Sequence, residues 1–140
     1  MRTPTAAAIA LTLAAGLTVG AATPAQAATC TRPTSTVTIP LTTAKHSTLI
    51  AHARRAVAHG YPTVMVWNPN GAAKRRAQLL KDVKTKRGHD RDEYPPASGR
   101  AVVRADVELV PSGQNRSAGA VMGNTMRRYC AGTKFRYAGV

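Results

Sequence analysis

The N-terminal stretch sets the first limit on what this chain can fold into, because residues 1–27 do not read as part of a fold. Arg2 gives a positive start, Ala6 to Gly20 is an almost wholly apolar run, and Ala25-Gln26-Ala27 is a small-residue cleavage pattern. Together these make a secretory leader. The apolar run is about 15 residues, short of the roughly 20 needed to span a bilayer. Removal after Ala27 is expected to leave one domain, residues 28–140, which is 113 of the 140 residues. A chain of that size buries about two-thirds of its unfolded surface and can fold alone. No later segment is apolar enough to cross a membrane, so a soluble, extracellular monomer is expected.

Charge narrows the class further. Lys and Arg number 20 against 6 Asp and Glu, a formal balance of +14, or +13 without Arg2. Such an excess repels itself and suits a polyanionic partner: nucleic acid, teichoic acid or an anionic membrane. Charge alone does not choose among these. Cys30 and Cys130 are the two cysteines. In an exported chain they are expected to form one disulfide, closing nearly the whole domain. Chain entropy makes such a closure worth on the order of 4–5 kcal/mol for a loop of about 100 residues.

Periodicity gives an α+β order. Ser35 to Ile39 alternates β-branched and small polar residues, as a strand does, and Pro40 ends it. Ser47 to His59 carries Leu49, Ile50, Ala53, Ala56 and Val57 at helical spacing, with Ser47 as cap and Gly60 as stop. Thr63 to Trp67 is a second strand, apolar enough to be central, and Asn68 to Gly71 is a turn. Ala72 to about Val83 is a second helix with Ala73, Ala77, Leu80 and Val83 as its buried stripe. Ala101 to Val110 is the longest strand candidate, where Val103, Ala105, Val107 and Leu109 alternate with Arg104, Asp106 and Glu108, the period of a strand with one apolar face. Ala118 to Tyr129 is a third helix with Val121, Met122 and Met126 inward, and Lys134 to Tyr137 closes the chain as a strand.

The chemistry has few places to sit. Asp82, Asp90, Asp92, Glu93, Asp106 and Glu108 are the only carboxylate side chains, and three fall within four residues, Asp90-Arg91-Asp92-Glu93. Crowded carboxylates raise one another's pKa and cost stability unless a cation or a proton-transfer role offsets them. A solvated acidic turn balancing Lys84, Lys86 and Arg87 is the plainer alternative. Asn115 lies at a helix start, where it can be an N-cap or offer its carbonyl oxygen to a hard metal ion. Asn115-Arg116-Ser117 also matches a glycosylation acceptor, a pattern frequent by chance. His46, His52 and His59 read as surface residues, whereas His89 adjoins the acidic cluster. There is no zinc-type His/Cys spacing, no nucleophile-elbow serine and no phosphate-cradling glycine loop.

Lys84 to Ala97, with its core Gly88-His89-Asp90-Arg91-Asp92-Glu93-Tyr94-Pro95-Pro96-Ala97, resembles the hallmark segment of the NucA/NucB family of extracellular bacterial deoxyribonucleases. Gly71-Ala72-Ala73-Lys74-Arg75-Arg76 is similar to that family's upstream basic run. Asn115-Arg116-Ser117-Ala118-Gly119, Gly123-Asn124 and Ala131-Gly132-Thr133-Lys134 resemble its downstream segments, in order. Gln114 stands where the family often has Asp, and Ser117 where it has Gly. The run Ser98 to Val102 lacks a cysteine-bearing acidic segment seen in some members, and Met65 stands about where that cysteine's partner would fall.

The resemblance implies a compact ββα-metal-like nuclease that hydrolyses DNA phosphodiesters with one divalent ion, Mg or Mn, and little sequence preference. It implies Asp92 or Glu93 as general base, with Arg91 orienting the carboxylates or contacting phosphate. Asn115, Asp90 and Asn124 would hold the metal or its waters. Arg116, Lys74, Arg75, Arg76, Lys86 and Arg87 would contact the DNA backbone. The alternative left open is a non-catalytic cationic protein that coats DNA or an anionic cell surface.

Overall fold

The computed structural model describes residues 29–140; the expected leader lies outside them. Five strands and three helices follow in the order β1 (Val37–Ile39), α1 (Thr43–Ala58), β2 (Met65–Val66), α2 (Ala72–Leu80), β3 (His89–Tyr94), β4 (Asp106–Pro111), α3 (Ser112–Met126) and β5 (Lys134–Tyr137). The elements expected from periodicity are observed in that order with one addition, β3, which periodicity did not mark, and the fold is α+β. Among the described residues no helix is long and apolar enough to cross a membrane.

Two small sheets organise the chain. In the first, β5 lies between β1 and β2, parallel to β1 and antiparallel to β2. β5 is central because its alternate residues Phe135 and Tyr137 are buried while Lys134 and Arg136 face water. The segment around Met65, expected in the centre, is a two-residue edge strand: Met65 is buried, but Val64 and Val66 are exposed. In the second sheet, β3 and β4 pair antiparallel, with Asp90 opposite Val110, Asp92 opposite Glu108 and Tyr94 opposite Asp106.

The core joins the sheets to α1 and α3 through Ile39, Leu49, Ile50, Ala53, Met65, Tyr94, Met126 and Phe135. Gly99, in a short 3-10 turn (Ala97–Gly99), is required there, because a Cβ would meet the Phe135 ring at 2.9 Å. Cys30 and Cys130 are bonded, with Cα atoms 5.0 Å apart and 100 residues of separation, which pins the N-terminal arm beside Tyr129.

Three local expectations change. α1 begins a turn before Ser47, with a kink at His46, whose Nδ1 accepts the Thr42 backbone N–H. α2 stops at Leu80, which alone of its expected stripe is buried; Ala73 and Ala77 are exposed. α3 begins at Ser112, directly where β4 ends, so Asn115 lies inside the helix and is not its N-cap.

The largest difference is in β4. Its inward face carries Asp106, Glu108 and buried Val110, while Leu109 is exposed. The expected parity is inverted because the two acids find partners on α1, and a polar group with a partner can turn inward without an uncompensated desolvation cost.

Candidate active site

Strand period 2 divides the acidic motif. Asp90 and Asp92 share one face of β3, and Arg91 and Glu93 share the other. Five of the chain's six carboxylates are on this hairpin, and four of them, Asp90, Asp92, Asp106 and Glu108, lie on the face that meets α1 and α3.

At one end of that face, α3 brings three side chains to Asp90. The Ser112 hydroxyl donates to Asp90 Oδ1 at 2.7 Å, Arg116 Nε to Oδ2 at 3.1 Å, and the Asn115 amide to Oδ2 at 3.5 Å. The Ser112 hydroxyl first, and then the Arg116 guanidinium, hold the Asp90 carboxyl below the usual carboxylate range. Of the residues expected to hold a metal, Asp90 and Asn115 therefore meet, joined by Arg116, a residue expected at phosphate. Asn124 is not part of it: nine helical residues beyond Asn115 amount to about 13 Å and half a turn, and Asn124 is exposed.

At the middle of the face, α1 supplies His52, Arg55 and His59. His52 is fully buried, and its Nδ1–H donates to Asp92 Oδ2 at 2.6 Å. Its Nε2 lies 3.5 Å from Asp106 Oδ1 without a hydrogen-bond partner. Burial pushes the His52 pKa down, but the Asp92 hydrogen bond and the charges of Asp92, Glu108 and Asp106 outweigh it, so the net direction is up. Arg55 grips both oxygens of Glu108 and lowers its pKa. His59 Nδ1 is 3.6 Å from Asp106 Oδ2. The potential ligand atoms of His52, Asp106 and Glu108 lie within 4.8 Å of one another, close enough to hold a metal ion.

The other face of β3 serves the scaffold. Glu93 is 3 % exposed, held by Arg100 at 2.6 Å, by Arg76, and by no water-facing edge. Arg91 donates through one nitrogen to the carbonyls of Leu80 and Val83, both at 2.9 Å, and so ties off the end of α2. Arg75 straps the turn before α2 to Ala97, Asn68 and Asn70 by their carbonyls. Of the basic residues expected to meet phosphate, Lys74, Arg76, Lys86, Arg87 and Arg116 are exposed, with Arg76 paired to Glu93 and Arg116 to Asp90, while Arg75 is half-buried against backbone carbonyls.

The sequence reading missed His52, Arg55, Asp106 and Glu108. A signal for His52 existed: with Leu49, Ala53 and Ala56 it completes the i, i+3, i+4, i+7 stripe of α1, so it belongs to the buried face. His46 is buried likewise, its Nε2 3.1 Å from the Ser117 hydroxyl. The ring of His89, favoured from its position, has the Arg87 carbonyl as its one hydrogen-bond partner among the described residues.

Over 84 residues the chain is 39% identical to the DNA-entry nuclease of Bacillus subtilis (strain 168), a match that covers 59% of this chain and 57% of that protein. The chain thus spans a little over half the length of the curated relative it matches. No protein-family profile matches the sequence.

Proposed function

Taking its similarity to the NucA/NucB-type nucleases as the premise, we propose that this chain is an exported, divalent-metal-dependent endonuclease that hydrolyses DNA phosphodiesters with little sequence preference. The observation that carries this reading is the concentration of four carboxylates on one face of the β3–β4 hairpin in a chain of net charge +14. β3, β4 and α3 also follow one another as strand, strand and helix, the order a ββα-metal nuclease core requires.

The Asp90 carboxylate, the Ser112 hydroxyl and the carbonyl oxygen of the Asn115 amide, whose nitrogen is the end that donates to Asp90, would supply hard oxygen donors, which fits Mg2+ or Mn2+ held with several waters. These residues would hold the ion, which when bound stabilises negative charge on the phosphate and its leaving oxygen. Asp92 is the general base. His52 donates to its Oδ2 and fixes its orientation, leaving Oδ1 to take a proton from water. Glu93, the other sequence candidate, has its oxygens committed to Arg76 and Arg100, which favours Asp92 for the role. Arg116, mostly exposed beside Asp90, offers a charge-assisted contact to the scissile phosphate. Lys74, Lys86 and Arg87 add backbone contacts of the kind that position a duplex without reading bases. The Cys30–Cys130 bond suits an oxidising, extracellular setting.

The test is plasmid nicking by the purified protein with Mg2+ or Mn2+, and again in EDTA. Cleavage that stops on chelation is expected. A gel shift without cutting across several metals would replace this reading with that of a cationic DNA-coating protein.

A further inference from the structure

We propose that His52 Nε2, Asp106 and Glu108 form a second divalent-cation site, apart from the Asp90–Asn115 cluster, which takes a transition ion such as Zn2+ or Mn2+ and ties α1 to the β3–β4 hairpin. It stands independently of the nuclease reading.

The first observation is the state of His52. The ring is fully buried and its Nδ1–H is committed to Asp92 at 2.6 Å. In the neutral ring that leaves Nε2 as a lone pair, and Nε2 has no hydrogen-bond partner. An unpaired buried polar atom costs about 1–3 kcal/mol, so its retention here calls for a partner. The carboxylate–imidazole pair is also the arrangement by which proteins fix the tautomer of a metal-binding histidine.

The second observation is where Nε2 points. Asp106 Oδ1 lies 3.5 Å away, and ligand atoms from His52, Asp106 and Glu108 all fall within 4.8 Å of one another. One imidazole with two carboxylates suits Zn2+ or Mn2+ better than Mg2+, which prefers oxygen and water.

The third observation is a local charge deficit. Among the described residues, Asp90 is paired with Arg116 and Glu93 with two arginines. Asp92 and Asp106 have no Lys or Arg partner, only histidines. Three carboxylates therefore meet one guanidinium, that of Arg55, and with the His52 ring neutral, as a metal-binding imidazole must be, two negative charges are left unmatched in a chain that has twenty cationic side chains. A doubly charged ion matches that deficit. Arg55 does not block it: each carboxylate oxygen has two lone pairs, and Arg55, half exposed, uses one on each Glu108 oxygen. His59, exposed at the C-terminal cap of α1, reaches Asp106 from the solvent side.

The experiment uses the full purified chain, stripped with chelator and then dialysed free of it. Zn2+ and Mn2+ are titrated in by calorimetry, and melting is followed with and without each ion. Expected are one strong site per chain beyond any Mg2+-competent one and a melting temperature raised by roughly 10 °C at a hundredfold excess over Kd. Asp106→Asn and the milder Glu108→Gln should each weaken that site at least about tenfold, whereas Asn115→Ala should leave it intact. Absence of saturable binding overturns the proposal, as does binding unchanged in Glu108→Gln and Asp106→Asn, or binding lost in Asn115→Ala. The readouts are heat and melting, so a chain that binds the ion and cuts no DNA defeats only the nuclease reading. A chain that cuts DNA and shows no such site defeats only this one.

Discussion

The two faces of β3 carry consecutive residues to opposite ends. On one face, Asp90 and Asp92 meet a hydroxyl, an amide, an exposed arginine and a histidine, and both keep some contact with water. On the other, Arg91 and Glu93 are spent on carbonyls and on two guanidinium groups, with Glu93 almost wholly buried. One face is arranged so that its charges can act on something outside the protein, and the other so that its charges hold the protein together. Four adjacent letters of sequence are therefore two pairs with different tasks.

The strongest way to break that comparison is at Asp92, the proposed base. Asp92→Asn is expected to cut DNA about 10²–10⁴-fold more slowly, with the circular dichroism of the folded chain retained; wild-type rates would end the assignment. Next in size is Glu93→Gln. Removing one partner of a buried ion pair leaves Arg100 uncompensated and costs about 3–5 kcal/mol, read by urea unfolding, while cutting per folded molecule stays within a few-fold. Full stability with lost activity would mean that the faces have been read the wrong way round.

The arginines give a smaller contrast. Arg116→Ala should leave melting nearly unchanged and reduce the slope of DNA affinity against salt by about one. Arg91→Ala should do the reverse, losing about 1–3 kcal/mol from two orphaned carbonyls at an unchanged salt slope.

The smallest effect lies at the dry end of the carboxylate face. Burial pushes the Tyr94 hydroxyl up to about 12. Between an ordinary value near 10 and that one, the unfolded chain loses a proton that the folded chain keeps, so stability falls as pH rises through this window. Tyr94→Phe should flatten that alkaline limb, at the cost of the bond to the Pro62 carbonyl. An equally steep limb in the variant would show that Tyr94 is not its source.

The sequence shows every element but β3 because hydrophobic period and turn residues are local, and β3, made of charged residues, has no apolar alternation to mark it. It does not show the facing of β4, because Val107 and Leu109 alternate with Asp106 and Glu108 and apolar residues are assumed to turn inward. What reverses that assumption is non-local: His52 and Arg55 come from a helix some fifty residues earlier. The same gap hid His52, whose partners cannot be read from α1 alone. The Asp90, Asn115 and Arg116 cluster was legible because family-like motifs put those residues forward. The start of α3 was not, since Pro111 closes a strand and opens a helix with no loop to mark the change.

That seamless joint between β4 and α3 works like a gear. With no slack between Pro111 and Ser112, the count of backbone residues alone sets the angle at which Asn115 faces Asp90. One inserted residue would leave both elements intact, yet turn every helical side chain by about 100° and carry Asn115 and Arg116 off the carboxylate together. Spacing at that junction thus shapes the cluster as directly as Ser112, the residue that opens the helix there.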